Sequence, residues 1–347
     1  MPRLWRKLKY QVLWVALSCI ILLVLLSPAG LWEAHKSSTD KVREINLGKS
    51  PRIMCWALVR LETYSTKARA LQDTWTQRCD KVLFFSSRPT EKNLTVQRTN
   101  DSLDITLTGN STRNNTRGAA SDGRNNKPND SNVGNMNSSK GGGSNVLRVP
   151  TIALAVPEGR EHLTAKAMLA SVYSWRMHGR DFDWFLKSDD DTYIVMENLR
   201  EMLRFYDPDS PVYFGYRFKP YTPQGYMSGG AGYVLSREAL RRLVMDGIFG
   251  KFCGPFTGVE DLDIGRCLYT VGVKAGDSVD KLGLERFHPL NFYAYFGDLK
   301  LPAWTGDYAF HPFKRGFGCC SNKTISFHYI RTHEMYMLEF LIYHMKL

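Results

Sequence analysis

Apolar and polar positions follow two rhythms along this chain, and the rhythms mark out its elements. "RIMCWALV" (52–59) and "KVLFFSS" (81–87) are near-continuous apolar runs of strand length. Between them, "STKARALQDTWTQRC" spaces its apolar residues near the helical period. Strand, helix, strand at this spacing predicts a βαβ unit and so a parallel sheet. The pattern then lapses. Residues 88–147 are rich in Asn, Ser, Thr and Gly with few large apolar side chains, which predicts a disordered insertion inside the domain, not a boundary. Order resumes at "VLRVPTIALAV". "EHLTAKAMLASVYSWRMHG" predicts a helix stopped at Gly179, and "FDWFLK" the next buried strand. "MENLREMLRFY" predicts a helix and "PVYFGYRF" a strand. "GYMSGGAGYVLSREALRRLV" predicts a glycine-rich loop, a short strand and a helix beginning near Ser236. "VEDLDIGRCLYTVG" predicts a further helix, followed at the end by a strand, "TISFHYI", and a helix, "HEMYMLEFLIYHMK". The fold class is α/β, with one domain over 51–347.

The N-terminus changes the picture of where that domain works. Arg3, Arg6, Lys7 and Lys9 precede an apolar stretch from Val12 to Leu26. With its flanks (11–27) the stretch is just long enough to span a bilayer, which takes roughly 17–20 residues. Basic residues ahead of it predict a cytosolic tail (1–10), a signal anchor, a polar stem (28–50) and a lumenal body. A cleaved signal peptide competes with this reading, because the apolar part is short and "SPAG" follows. Cys19 falls inside the span. The other six cysteines, an even number with no CxxC spacing, read as three disulfides of an oxidising compartment. Sequons at Asn93, Asn100, Asn110, Asn114, Asn129, Asn137 and Asn322 agree with a lumenal body. The formal charge is +12, but Lys and Arg are spread along the chain without a basic helix or a nucleic-acid motif. Nucleic acid is therefore not the expected partner. Anionic nucleotides or acidic glycans suit such a surface.

Chemistry concentrates at "LKSDDDTYIV". Asp189, Asp190 and Asp191 stand at the carboxyl end of a predicted buried strand, where open α/β sheets bind ligands. Adjacent like charges are costly unless a metal ion, a basic side chain or water relieves them. In extended chain Asp189 and Asp191 share a face and Asp190 points away. Carboxylate oxygens suit Mg²⁺ or Mn²⁺, with positions left for the diphosphate of a nucleotide-sugar. The competing reading is a solvated turn. His328 interrupts an apolar strand; as a ligand it would bias the site toward Mn²⁺, although a lone His is more often structural. Gly229, Gly230 and Gly232 remove side chains where a ligand could approach the backbone, but they do not form GxGxxG. Glu260 and Asp261 lie at a predicted helix N-terminus, where the helix dipole alone would explain them.

"DWFLKSDDDTYIVMENLR", "YFGYRFKPYTPQGYMSGGAGYVLSREAL", "VEDLDIGRCL", "GCCSNKTISFHY" and "YMLEFLIYH" together resemble the core 1 β1,3-galactosyltransferases, the T-synthase family, relatives of the Fringe-type β1,3-glycosyltransferases. The resemblance covers about 52–87 and 150–347. It implies a GT-A type domain with a central, mostly parallel sheet. The implied reaction is inverting transfer of galactose from UDP-galactose to the 3-hydroxyl of Ser/Thr-linked N-acetylgalactosamine on glycoproteins, making core 1 O-glycans. It further implies a Mn²⁺-dependent, single-pass type II protein of the Golgi membrane and leaves a homodimer open. By the same resemblance Asp189, Asp191 and His328 hold the metal, and Asp261 is the catalytic base. Glu158, Gly159, Arg160, Lys166 and Asp190 would bind the nucleotide-sugar, and Glu260, Gly229, Gly230, Trp304 and Tyr308 would face the acceptor. The implied disulfides are Cys55–Cys79, Cys253–Cys267 and the vicinal Cys319–Cys320. Two stretches depart from the family pattern: "WTGDYAFHP" has Gly306 where the family has a Trp, and "TAK" (164–166) stands for "YWK". The first departure leaves a related β1,3-glycosyltransferase with a different acceptor as one alternative. A non-catalytic lumenal paralogue is another.

Overall fold

The computed structural model describes residues 50–87, the strands at 94–99 and 102–107, and residues 151–346. In chain order the strands are β1 (Ile53–Leu58), β2 (Lys81–Ser87), β3 (Leu94–Thr99), β4 (Ser102–Leu107), β5 (Thr151–Leu154), β6 (Trp184–Asp189), β7 (Tyr193–Ile194), β8 (Val212–Gly215), β9 (Arg217–Phe218), β10 (Tyr226–Met227), β11 (Tyr233–Ser236), β12 (Lys274–Ala275), β13 (Phe287–His288) and β14 (Ser326–Phe327). Nine of them form one sheet in the order β12-β8-β11-β6-β1-β2-β5-β4-β3. The central strands β6, β1, β2 and β5 are parallel, and only β11 and β4 run against the rest. The fold is thus mixed α/β around a mostly parallel central sheet.

Parallel strands flanked by helices bury both faces, which is why β1 and β2 read as continuous apolar runs. Ile53, Cys55 and Ala57 point into one core with Met196, Leu199, Ile330 and Met335. Met54, Trp56 and Leu58 point into the other with Ala167, Met168, Leu240, Ile264 and Leu268. The covering helices are α1 (Leu163–His178), α2 (Met196–Leu203), α3 (Arg237–Arg241), α4 (Glu260–Thr270) and α5 (Thr332–Glu339). Ser236 caps α3 by accepting from the Ala239 N–H, as its position in the sequence predicts.

Three expectations need correction or a boundary. The helix expected between β1 and β2 is broken: a π-turn (Tyr64–Ala68) and a short α-helix (Arg69–Asp73) stop at Thr74. There the Thr74 and Thr76 hydroxyls donate to the Ala70 and Leu71 carbonyls, taking acceptors that a continuing helix would use. Within the segment expected to lack order, β3 and β4 pair as an antiparallel hairpin on the sheet edge. Their sequence, "LTVQRTNDSLDITL", alternates apolar and polar residues around a two-residue Asn-Asp loop, a hairpin signal that the polar composition obscures. The remaining residues of 88–147 and the anchor expected at 11–27 lie outside the described residues. Among the described residues no helix is long and apolar enough to cross a membrane.

All three expected disulfides are present: Cys55–Cys79, Cys253–Cys267 and Cys319–Cys320. The first ties the middle of β1 to the chain entering β2, closing a loop of 24 residues that carries Thr63 and Lys67. Replacing both Cys55 and Cys79 by Ser should lower stability by about 3 kcal/mol, the scale for a loop of this length, read from urea unfolding of the full chain. An unchanged midpoint would show that the bridge adds no restraint.

Candidate active site

The sheet brings the predicted site residues together at the carboxyl end of β6. Asp189 is its last residue, and β11 runs antiparallel beside it with Tyr233 opposite Lys187. The glycine-rich loop before β11 therefore lies against the acidic triple. From the other side, the small sheet β13-β14-β7 delivers His328, the residue after β14. His328 Nε2 lies 3.2 Å from Asp191 Oδ1 and 3.9 Å from Asp189 Oδ2. One ligand atom from each of the three falls within 4.8 Å of the others, and all three residues are half-buried. His328 Nδ1 is 3.3 Å from the Pro289 carbonyl. With an ion bound, a proton held there would leave the Nε2 lone pair for the metal, the usual arrangement of a ligating His. Two carboxylates and an imidazole fit a first-row divalent ion such as Mn²⁺.

The triple divides its charge as the alternation predicts. Asp190 turns away from His328 and pairs with Lys67 at 2.7 Å, with the Thr63 hydroxyl 3.4 Å from its other oxygen. Lys67 also reaches Asp191 at 3.5 Å. On the opposite side Lys187 is 1% exposed. Its Nζ donates to Asp189 Oδ1 (2.7 Å), Glu260 Oε2 (3.2 Å) and the Gly229 carbonyl (3.2 Å). Burial opposes charge on Lys187, yet Asp189, Glu260 and Asp261 outweigh it and raise its pKa, so it stays a cation. Burial would also raise Asp191, but His328 and Lys67 outweigh it and hold that carboxyl below its ordinary range. Asp190, Glu260 and Asp261 are raised, burial being the largest cause in each.

Asp261 is the second residue of α4, and its orientation is fixed by the backbone. Oδ2 accepts from the Gly229 N–H at 3.0 Å and Oδ1 from the Leu262 N–H at 2.9 Å. Glu260 is held by the protein itself: it is buried, and its two oxygens accept from Lys187 and from the Tyr233 hydroxyl (2.7 Å). Gly229 and Gly230 are likewise structural to the site. A Cβ at Gly229 would lie 2.6 Å from Glu260 Oε2, and one at Gly230 would lie 2.0–2.5 Å from the His328 ring. Glycine is required there so that the Glu260 and His328 side chains can approach.

The other expected residues separate into two groups around this centre. Lys166, almost fully buried on α1, pairs with Glu158 at 2.6 Å. Gly159 between them has φ of +142°. Arg160 lies in electrostatic reach of Tyr329, beside His328. Trp304 and Tyr308 sit on a short helix (Trp304–Tyr308) packed on Phe218. The Tyr308 hydroxyl is 2.5 Å from that of Tyr221, and both tyrosines lie in electrostatic reach of Tyr226, which is in reach of Asp261. Sequence reasoning missed Lys67, Lys187, Tyr221, Tyr233 and Tyr329. Lys187 was findable: a Lys inside an apolar strand, two residues before Asp189 and on its face, demands a buried counter-charge.

Residues 62–328 match the Fringe-like family. The chain is 36% identical over 326 residues to glycoprotein-N-acetylgalactosamine 3-beta-galactosyltransferase 1 of Xenopus laevis, covering 93% of this chain and 74% of that protein. It is 32% identical over 129 residues to the beta-1,3-glucosyltransferase of Mus musculus, covering 36% of this chain and 26% of that protein. A third similarity, 28% over 134 residues, is to chondroitin sulfate synthase 3 of Homo sapiens, covering 36% of this chain and 15% of that protein.

The crowding at Gly230 gives a direct test of the metal cluster. Gly230→Ala should displace the His328 ring and weaken Mn²⁺ binding by about tenfold or more, the scale for disturbing a ligand's support. The check is calorimetric titration of the full chain with Mn²⁺ alone. Unchanged affinity would remove His328 from the ligand set.

Proposed function

The chain belongs to the Fringe-like family, and from that premise we propose that it transfers galactose from UDP-galactose to the 3-hydroxyl of Ser/Thr-linked N-acetylgalactosamine, inverting the anomeric centre. The observation that carries this reading is a half-buried two-carboxylate, one-imidazole cluster beside a separately oriented carboxylate, Asp261. An inverting transfer needs those two parts on opposite sides of the sugar. The domain is then of GT-A type; Asp189, Asp191 and His328 would hold Mn²⁺, which would neutralise diphosphate charge. The 3-hydroxyl oxygen bonds to the anomeric carbon as the bond to the UDP oxygen breaks, and Asp261 takes the hydroxyl proton. The two backbone N–H groups aim its carboxylate. Burial raises its pKa, which makes it a stronger base than a solvated Asp. Lys187 keeps Glu260 and Asp189 from repelling it. We propose further that it is a type II membrane protein, supported by the basic residues ahead of its apolar segment 11–27, and that it works in the Golgi, as the family resemblance implies.

A second reading, the same chemistry on a different acceptor, is favoured by Gly306. It is exposed on the short helix of Trp304 and Tyr308, and a Cβ there would meet nothing within 4 Å. The surface beside the aromatic cluster is therefore open where the family pattern has an indole.

Two variants test these assignments. Asp261→Asn should lower the transfer rate by roughly two to four orders of magnitude, the usual scale for loss of a general base. UDP binding with Mn²⁺ should survive; loss of both together would make Asp261 part of the donor site. Gly306→Trp should change the KM for a GalNAc-peptide by several-fold or more while leaving the KM for UDP-galactose in place. Equal shifts in the two constants would contradict an acceptor-side position.

A further inference from the structure

Tyr329 follows the third member of the metal cluster and is a backbone outlier. Its φ is +54°, in the left-handed region that a bulky side chain seldom occupies. Such a conformation persists only where the surroundings over-determine it, and such residues gather at ligand sites. Here the surroundings do so on both sides. The His328 N–H donates to the His288 carbonyl at 3.1 Å, and the Ile330 N–H donates to the Asp191 carbonyl at 2.9 Å. The chain is thus pinned before and after Tyr329, once to the small sheet and once to the acidic triple itself.

The outcome is a ring held in an unusual place. Its centroid lies 3.7 Å from that of the His328 imidazole, with 25° between the planes, so one face is taken. Yet the residue is 50% exposed. Half of the residue's surface therefore remains open to a ligand. Asp189, Asp191, Asp261 and Arg160 all lie in its electrostatic reach. The ring therefore stands beside the metal cluster, stacked on His328 and tied through Ile330 to Asp191. In an inverting transfer the transferred hexose lies next to that cluster, because its anomeric carbon bears the leaving oxygen of the diphosphate.

We infer that Tyr329 contacts the donor's hexose, its exposed surface forming a wall against the pyranose ring. The inference rests on the galactosyl-transfer reading and adds a donor-sugar contact to it. Stacking on His328 keeps the ring at a fixed distance from the metal cluster, so the hexose is gauged from the same imidazole that gauges the diphosphate.

The test is calorimetry on the full chain, with Mn²⁺ at constant concentration and UDP or UDP-galactose as titrant, for wild type, Tyr329→Ala and Tyr329→Gly. Binding of Mn²⁺ alone reports whether His328 stays in place. Both variants should keep Mn²⁺ and UDP affinities within about twofold and lose about tenfold in UDP-galactose affinity, the scale of one aromatic contact. Glycine tolerates positive φ, so Tyr329→Gly should melt at or above the wild-type temperature. Parallel loss of UDP and UDP-galactose would overturn the inference, since Tyr329 would then act only through His328. Unchanged affinity for both would also overturn it. A wild-type chain that binds UDP but gains nothing from the hexose would overturn the galactosyl-transfer reading, and this inference with it.

Discussion

Lys187 is the cation around which the site is arranged. It is fully buried in the central sheet, yet it touches Asp189 and Glu260 and lies in electrostatic reach of Asp261. A buried ammonium is tolerated only with such partners, and the partners are tolerated only with it. Unit charges 4 Å apart at an effective dielectric of 20 interact by about 4 kcal/mol. Without Lys187 the carboxylates at the end of β6 and the start of α4 would repel one another uncompensated. With it, the two elements are drawn together, and Asp261 can be aimed by Gly229 instead of being pushed into solvent. Lys67 performs the corresponding task for Asp190 on the other flank. Asp189 and Asp191 are left to share His328.

The same constraint explains the glycine-rich loop. Gly229 supplies an N–H to Asp261 and a carbonyl to Lys187, so its backbone bridges base and cation. Gly230 makes room for the imidazole while the Thr192 hydroxyl donates to its carbonyl at 2.8 Å. The Trp75 indole in turn donates to the Thr192 carbonyl, and Ser326 to that of Ala231. The loop is rigid because its carbonyls are fastened to the elements that carry the ligands. Positions that look like space for a substrate are filled by the protein's own side chains.

Much of this was legible in the sequence, for physical reasons that particular residues make plain. β1, β2 and β6 could be read because both faces of a parallel strand are buried, and "FDWFL" ending in three aspartates located the site. The division of Asp189 and Asp191 from Asp190 matched the alternation of extended chain, although β6 ends at Asp189 and the turn after it, at Asp190 and Asp191, is what sets their directions. The partners of Glu260 were not legible because Lys187 and Tyr233 come from strands distant in sequence, and a local pattern cannot report a long-range salt bridge. Tyr329 and Tyr221 were missed for a different reason: positive φ at a tyrosine leaves no compositional trace. The β3–β4 hairpin was hidden by the polar residues around it, although its own alternation is regular.

The central claim is that the acidic triple is divided between a metal ion and a lysine. The most direct measurement compares Asp190→Asn with Asp191→Asn by UDP calorimetry across a Mn²⁺ titration of the full chain. The account predicts that Asp191→Asn abolishes the Mn²⁺ dependence of UDP binding, because a neutral amide oxygen is a weak ligand for a divalent ion. Asp190→Asn should keep that dependence, since its carboxylate faces Lys67. Retained Mn²⁺ dependence in Asp191→Asn, or its loss in Asp190→Asn alone, would contradict the division.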